Sequence, residues 1–271
     1  WTLPTRYLHD LVAADDGALF AVDSETADVA EFSVLLNGSA GEDEARSLPV
    51  GPGRRARLAH RRTLRTTTSS LFDSAATAHA NNAIAAAGLL WVLHNNLQST
   101  SELHLFELAT GAPVRTLLLG GPNCHNPLFY KGELLYLLSS SGGLARLRAD
   151  GGSTTLWEAG AEWFTKGLAV VDDVAYFGLS RKTRQARDRN FAAMELASFD
   201  LAAGRLVRRV PLRVPGLPHE RPGLLNAISA PALAPTCSWR ACSTTQSHES
   251  VAAAHDPDPA AWLPRRRRKA G

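Results

Sequence analysis

The sequence predicts an all-β chain of four-stranded blades arranged around an axis, a β-propeller, and three observations carry that expectation. First, the stretch from His125 to Ser139 aligns without a gap on the stretch that begins at Thr165, an offset of about 40 residues, which is a period expected of blade repeats. Second, Leu105 to Arg115 aligns without a gap on Ser198 to Arg208, so the outer half of the unit repeats as well. Third, the apolar residues alternate in the outer stretches and run almost continuously in the inner ones. That is the gradient expected from a wet rim to strands covered on both faces.

The opening strand of each blade begins with a recurring polar phrase: His9-Asp10-Leu11, Asn81-Asn82-Ala83, His125-Asn126-Pro127, Thr165-Lys166-Gly167 and Leu225-Asn226-Ala227. A turn follows the first four, at Asp15-Asp16-Gly17, Ala87-Gly88, Lys131-Gly132 and Asp172-Asp173. Gly and Asp tolerate the positive φ that tight hairpins need. The second strands are Leu19 to Val22, Leu90 to Leu93, Leu134 to Leu137 and Val174 to Phe177. Trp91, Tyr136 and Tyr176 match in position and are expected in the core. Third and fourth strands turn at Gly111, at Gly151-Gly152 and at Gly204. A helical reading fails, because apolar residues do not recur at three and four, and Gly or Pro interrupts each long stretch.

Two basic stretches interrupt this pattern. Asn37 to Ser70 carries Arg54, Arg55, Arg57, Arg61, Arg62 and Arg65. It reads as a solvated insertion in the first blade, with a degraded blade's outer strands or an anionic-partner site as the other readings. Arg181 to Met194, with Arg181, Lys182, Arg184, Arg187 and Arg189, reads as a loop on one face of the propeller. The blade pattern ends near Pro231. The domain reading is therefore a propeller over residues 1–231 and a disordered basic tail over 232–271. Four blades and one strand of a fifth close awkwardly, and the chain opens on Trp1. A fragment, truncated or incompletely closed, is expected.

Composition bounds the function classes. In 271 residues the formal charge is +3 and 45% of residues are hydrophobic, so a sizeable core is available and nucleic acid is not an expected partner. Cys124, Cys237 and Cys242 have neither disulfide-framework nor zinc spacing and read as thiols in a reducing, cytoplasmic compartment. Arg265 to Lys269 resembles a nuclear-import patch. No apolar run reaches the roughly 18 residues of a membrane span, and no signal peptide is visible. Serine-hydrolase elbows, phosphate loops, dinucleotide glycine fingerprints and His-Glu-x-x-His pairs are absent from the sequence.

A propeller's opening strands line its channel, so the opening phrases would gather at one mouth. His9, Asp10, Asn82, His125, Asn126, Lys166 and Asn226 are the expected ligand-binding residues, with His and Asn as hydrogen-bond partners and Lys166 as a charge anchor. The expected ligand is small and polar or anionic, and no cofactor is needed. A metal-assisted hydrolase of the lactonase type is the alternative, with a divalent cation such as calcium at Asp10; with a single carboxylate in the set, it is weakly provided for. A protein-docking scaffold is the third reading, and channel-mouth residues that merely cap strands are the plainest of all.

The phrases from Cys124 to Leu212 also resemble a family of uncharacterised propeller-like proteins. The shared features are a His-x-Pro strand (His125, Pro127), a Ser-Gly-x-Gly-like turn (Ser141-Gly142-Gly143), and a Phe-Thr-x-Gly-Leu-Ala strand (Phe164 to Ala169) leading to Gly178-Leu179-Ser180. His9-Asp10-Leu11 is similar to the family's early strand. The resemblance implies the propeller fold and brings no established activity with it.

Overall fold

A computed structural model describes residues 8–37, 48–51, 54–66, 79–184, 188, 192–213, 228 and 262. Its regular elements are all strands, and they form antiparallel sheets of the propeller-blade type. The first sheet contains β1 (Leu8–Ala13), β2 (Ala18–Asp23), β3 (Asp28–Asn37), β4 (Leu48–Gly51) and β5 (Arg54–Arg65), in the spatial order β1-β2-β3-β5-β4. The second runs in order through β6 (Ala80–Ala86), β7 (Leu89–His94), β8 (Glu102–Glu107) and β9 (Pro113–Leu118). The third is β10 (Cys124–Tyr130), β11 (Glu133–Leu138), β12 (Gly143–Leu147) and β13 (Ser153–Glu158). The fourth is β14 (Trp163–Val171), β15 (Val174–Arg181), β16 (Met194–Asp200) and β17 (Arg205–Pro211).

The hairpin turns explain the register. Ala87 and Gly88 have φ of 55° and 72°, Lys131 and Gly132 have 48° and 79°, and Asp172 and Asp173 have 48° and 64°. Two successive positive φ values define the turn whose twist matches paired strands. The repeated phrase therefore encodes one turn conformation in three blades.

The chain divides into two compact units, 1–122 with 263–271, and 123–262. In the first, a core between the first two blades joins Phe20, Val22, Val29, Leu64, Leu90 and Phe106. In the second, the core between the third and fourth blades joins Leu135, Leu137, Leu144, Trp163, Phe177 and Phe199. Trp91 and Tyr136 have no exposed surface, while Tyr176 is half-buried. In the segment read as a tail, Trp262 is buried, its ring 6.1 Å from that of Phe129.

The solvated-loop reading of the first Arg-rich stretch needs correction where Arg54 to Arg65 form β5. This strand pairs along β3 with a bulge opposite Glu31 and Phe32. The bulge lets neighbouring Arg61 and Arg62 both reach the buried Glu31, Arg61 at 3.0 Å and Arg62 through Nε. Arg62 also donates to the carbonyls of Leu108 and Ala109 in the second blade. A dense run of arginine hides a strand from composition, because long basic side chains cover apolar surface and keep their heads in water or on carboxylates.

Among the described residues, no helix is long and apolar enough to cross a membrane. The Arg265 to Lys269 patch lies outside the described residues.

Candidate functional site

Each unit carries its own part of the expected channel-mouth set. In the first, the Asp10 side chain accepts from the Ala83 backbone N–H at 3.0 Å and from Asn82 Nδ2 at 3.2 Å. Its other oxygen accepts from Leu11 N–H at 2.9 Å, so both carboxylate oxygens already have protein donors. The His9 ring meets His79 edge-on at 5.7 Å. In the second unit, Asn126 Oδ1 accepts from the Gly167 N–H at 2.8 Å. Asp10 and Asn126 hold the same place in the opening phrase, and so do Ala83 and Gly167. Each bond therefore ties the innermost strand of one blade to that of the next. A register shift falls in or beside the phrase in all four inner strands, and such bulges re-aim side chains.

His125 is buried. Ser139 donates its hydroxyl hydrogen to the Thr165 carbonyl at 2.5 Å. Ser139 Oγ therefore receives from His125 Nδ1 at 2.8 Å, and the Asn123 carbonyl lies 3.0 Å from the same nitrogen. Both partners are acceptors, so His125 carries its hydrogen on Nδ1. Lys166 is half-buried, and Asn226 lies outside the described residues.

Beside His125 the second unit opens a cleft of about 240 Å³, lined by Asn123, Ser140, Phe164, Ser180, Lys182 and Thr183 among others. It sits where β10 and β14 begin and β11 and β15 finish. Phe164 packs edge-on against His125 at 5.4 Å, which places the histidine behind the cleft wall. Asn123 Nδ2 donates to Ser140 Oγ at 3.1 Å, and Lys182 Nζ donates to the Ser140 carbonyl at 2.6 Å. Desolvation lowers the Lys182 pKa from its usual value, with the charge of Glu162 opposing the shift. The lining thus holds one ammonium, the Arg181 guanidinium, one amide and three hydroxyl side chains around an aromatic wall. In sequence, Arg181 and Lys182 stand out as part of a face loop, and Phe164 and Ser180 lie in the recurring strand phrases. The Ser139-Ser140-Ser141 run and Gly178-Leu179-Ser180 were the available signals for the rest.

A second polar cluster lies in the first unit. His94, Glu102 and His104 have no exposed surface. One donor atom from each lies within 4.8 Å of the others. His94 sits opposite Glu102 in the β7–β8 ladder, and His104, two residues further along β8, shares Glu102's face. Burial pushes the His94 pKa down to about 3, helped by the charge of His104. The sequence reading passed over this trio because it follows no known motif spacing and joins two strands.

No protein-family model and no curated protein matches the chain. Solved structures do. Virginiamycin B lyase from Staphylococcus aureus is 10% identical, with a TM-score of 0.46, over 82% of this chain and 73% of that one. A protein of unknown function from Bacteroides caccae is 13% identical, with a TM-score of 0.43, over 78% of this chain and 63% of that one. Drosophila Semaphorin 1a extracellular domains are 12% identical, with a TM-score of 0.43, over 73% of this chain and 39% of that one. The chain thus spans less than two thirds of the Bacteroides protein's length, and at these similarities none of the three lends it an activity.

Proposed function

We propose that this chain is a binding module that takes a small anionic ligand in the cleft headed by Lys182. The observation that carries the reading is the Lys182 ammonium, exposed at the cleft, held by the Ser140 carbonyl and set beside the hydroxyls of Ser140, Ser180 and Thr183. A cation at the edge of a concave, partly apolar cleft attracts an anion more strongly than one in open water. Hydroxyls and an amide then supply donors to fix the ligand's orientation. The Phe164 ring gives an apolar wall on which a short carbon skeleton can rest.

The expected residues of the opening phrases enter this reading as supports. His125 holds Asn123 and Phe164, and Asn126 ties the two inner strands together. The test is a thermal-shift series with inorganic phosphate, acetate, succinate and citrate. At least one anion should raise Tm, and Lys182→Met should abolish the rise while leaving the Tm of the ligand-free protein within about 1 °C. No shift with any of these anions, or a shift that survives in Lys182→Met, overturns the reading.

A further inference from the structure

We propose that His94, Glu102 and His104 form a buried site for a divalent cation of the zinc class, built into the second blade. Three independent features converge there.

The first is the state of His94. The Thr66 hydroxyl donates to the Ala27 carbonyl, so its oxygen is left to accept. His94 Nε2 lies 2.7 Å from that oxygen and must carry the hydrogen. A neutral imidazole with hydrogen on Nε2 has a bare lone pair on Nδ1. That Nδ1 is buried and, among the described residues, has no hydrogen-bond partner. Burying an acceptor with nothing to accept from is costly, and a cation removes the cost.

The second is spacing. His104 Nε2 and Glu102 Oε2 are 3.3 Å apart. Two ligands about 2.0–2.1 Å from a tetrahedral ion are separated by about 3.3 Å. Since the three donor atoms lie within 4.8 Å of each other, one ion can reach all of them with side-chain adjustment. Two imidazoles and one carboxylate suit zinc, whereas calcium and magnesium call for oxygen donors.

The third is the support behind the ligands. Thr66 orients His94, and the Thr116 hydroxyl lies 3.3 Å from His104 Nδ1. Asn96 Nδ2 donates to Glu102 Oε2 at 3.2 Å. Metal-bound histidines characteristically have their second nitrogen held in this manner, and metal-bound carboxylates are hydrogen-bonded in turn. An ion here would also neutralise a carboxylate that has no exposed surface. All three ligands are buried, so an ion bound there would clip β7 to β8.

The experiment uses the full chain, stripped with a chelator, equilibrated with zinc chloride and desalted. Zinc per chain is then measured by mass spectrometry, and Tm by calorimetry. One zinc per chain and a Tm about 5 °C above the stripped protein are expected. Glu102→Gln preserves the side-chain shape and should lose both the retained zinc and the rise. His60→Gln, which alters an exposed histidine on β5 bonded to Thr63, should keep both. Should Glu102→Gln fail to fold, cobalt(II) added to the unaltered chain decides, since a tetrahedral nitrogen–oxygen site gives intense visible bands. Absence of retained zinc, zinc retained by folded Glu102→Gln, or only the pale spectrum of octahedral cobalt overturns the proposal.

Discussion

Asn126 Oδ1 accepts a hydrogen bond from the backbone N–H of Gly167 at 2.8 Å, across the gap between two blades. Asp10 makes the equivalent bond to Ala83 at 3.0 Å in the other unit. In two of the four opening phrases the second residue thus acts as a blade-to-blade tie, and this is the clearest structural use of the repeated phrase.

The tie can be weighed by substitution. Asn126 has φ of 50°, a conformation asparagine and glycine adopt more readily than alanine. Asn126→Asp keeps an acceptor and should be near neutral. Asn126→Gly keeps the backbone and loses the bond, costing about 1 kcal/mol. Asn126→Ala loses both and should cost about 2 kcal/mol. Urea unfolding measures all three, and equal losses for Gly and Ala would remove the backbone part of the argument.

Two turn glycines look alike in sequence and differ in space. Gly111 and Gly204 have φ of 74° and 65°. A Cβ on Gly204 meets nothing within 4 Å, whereas one on Gly111 would run into Leu64 Cδ2 in the first blade. Gly204→Ala should cost about 1 kcal/mol from backbone strain. Gly111→Ala should cost about 2 kcal/mol, because it also makes the buried Leu64 side chain shift. Thermal unfolding of the pair checks the difference, and equal losses would count against the Leu64 contact.

Glu31 separates buried from exposed charge. Its side chain is 5% exposed, against 53% for Arg61 and 28% for Arg62. Arg61→Ala should change stability by less than about 1 kcal/mol. Glu31→Gln leaves Arg62 without its counter-ion and should cost about 3 kcal/mol. A Glu31→Gln loss no greater than the Arg61→Ala loss would show that the carboxylate is solvated in solution.

His94 makes the fold acid-sensitive. Its folded pKa of about 3 lies below the unfolded value near 6.5. The unfolded chain therefore binds the extra proton first as pH falls. The stabilising contribution is fully present above about pH 6.5 and is lost progressively towards pH 3. In chelator-containing buffer, the unfolding free energy should be about 2 kcal/mol lower at pH 5 than at pH 7.5 from this residue. His94→Leu should flatten that limb, as followed by urea titrations at both pH values, and an unchanged slope would contradict a neutral buried imidazole.

The inner strands and their hairpins were legible because their signals are local. Leu134 to Leu137 reads as a buried strand and Lys131-Gly132 as a tight turn without knowledge of any distant residue. The Arg-rich strand from Arg54 to Arg65 was legible only as an alternative, a degraded blade's outer strands, since the partners of its Arg61 and Arg62 are the distant Glu31 and the carbonyls of Leu108 and Ala109. The cleft was legible only in part. Lys182 stands out as one of several basic loop residues and Phe164 as the head of a strand phrase, but nothing local says that they meet Asn123 and Ser140 at one cleft.

Alternation of apolar residues, turn chemistry and a period of about 40 residues were enough to dictate blades, because each depends on neighbours along the chain. Which polar residues tie blades together, which line a cleft and which are sealed inside was decided by packing. Desolvation and hydrogen-bond pairing act between residues such as Asn126 and Gly167, or His94 and Thr66, that only the folded chain brings within reach.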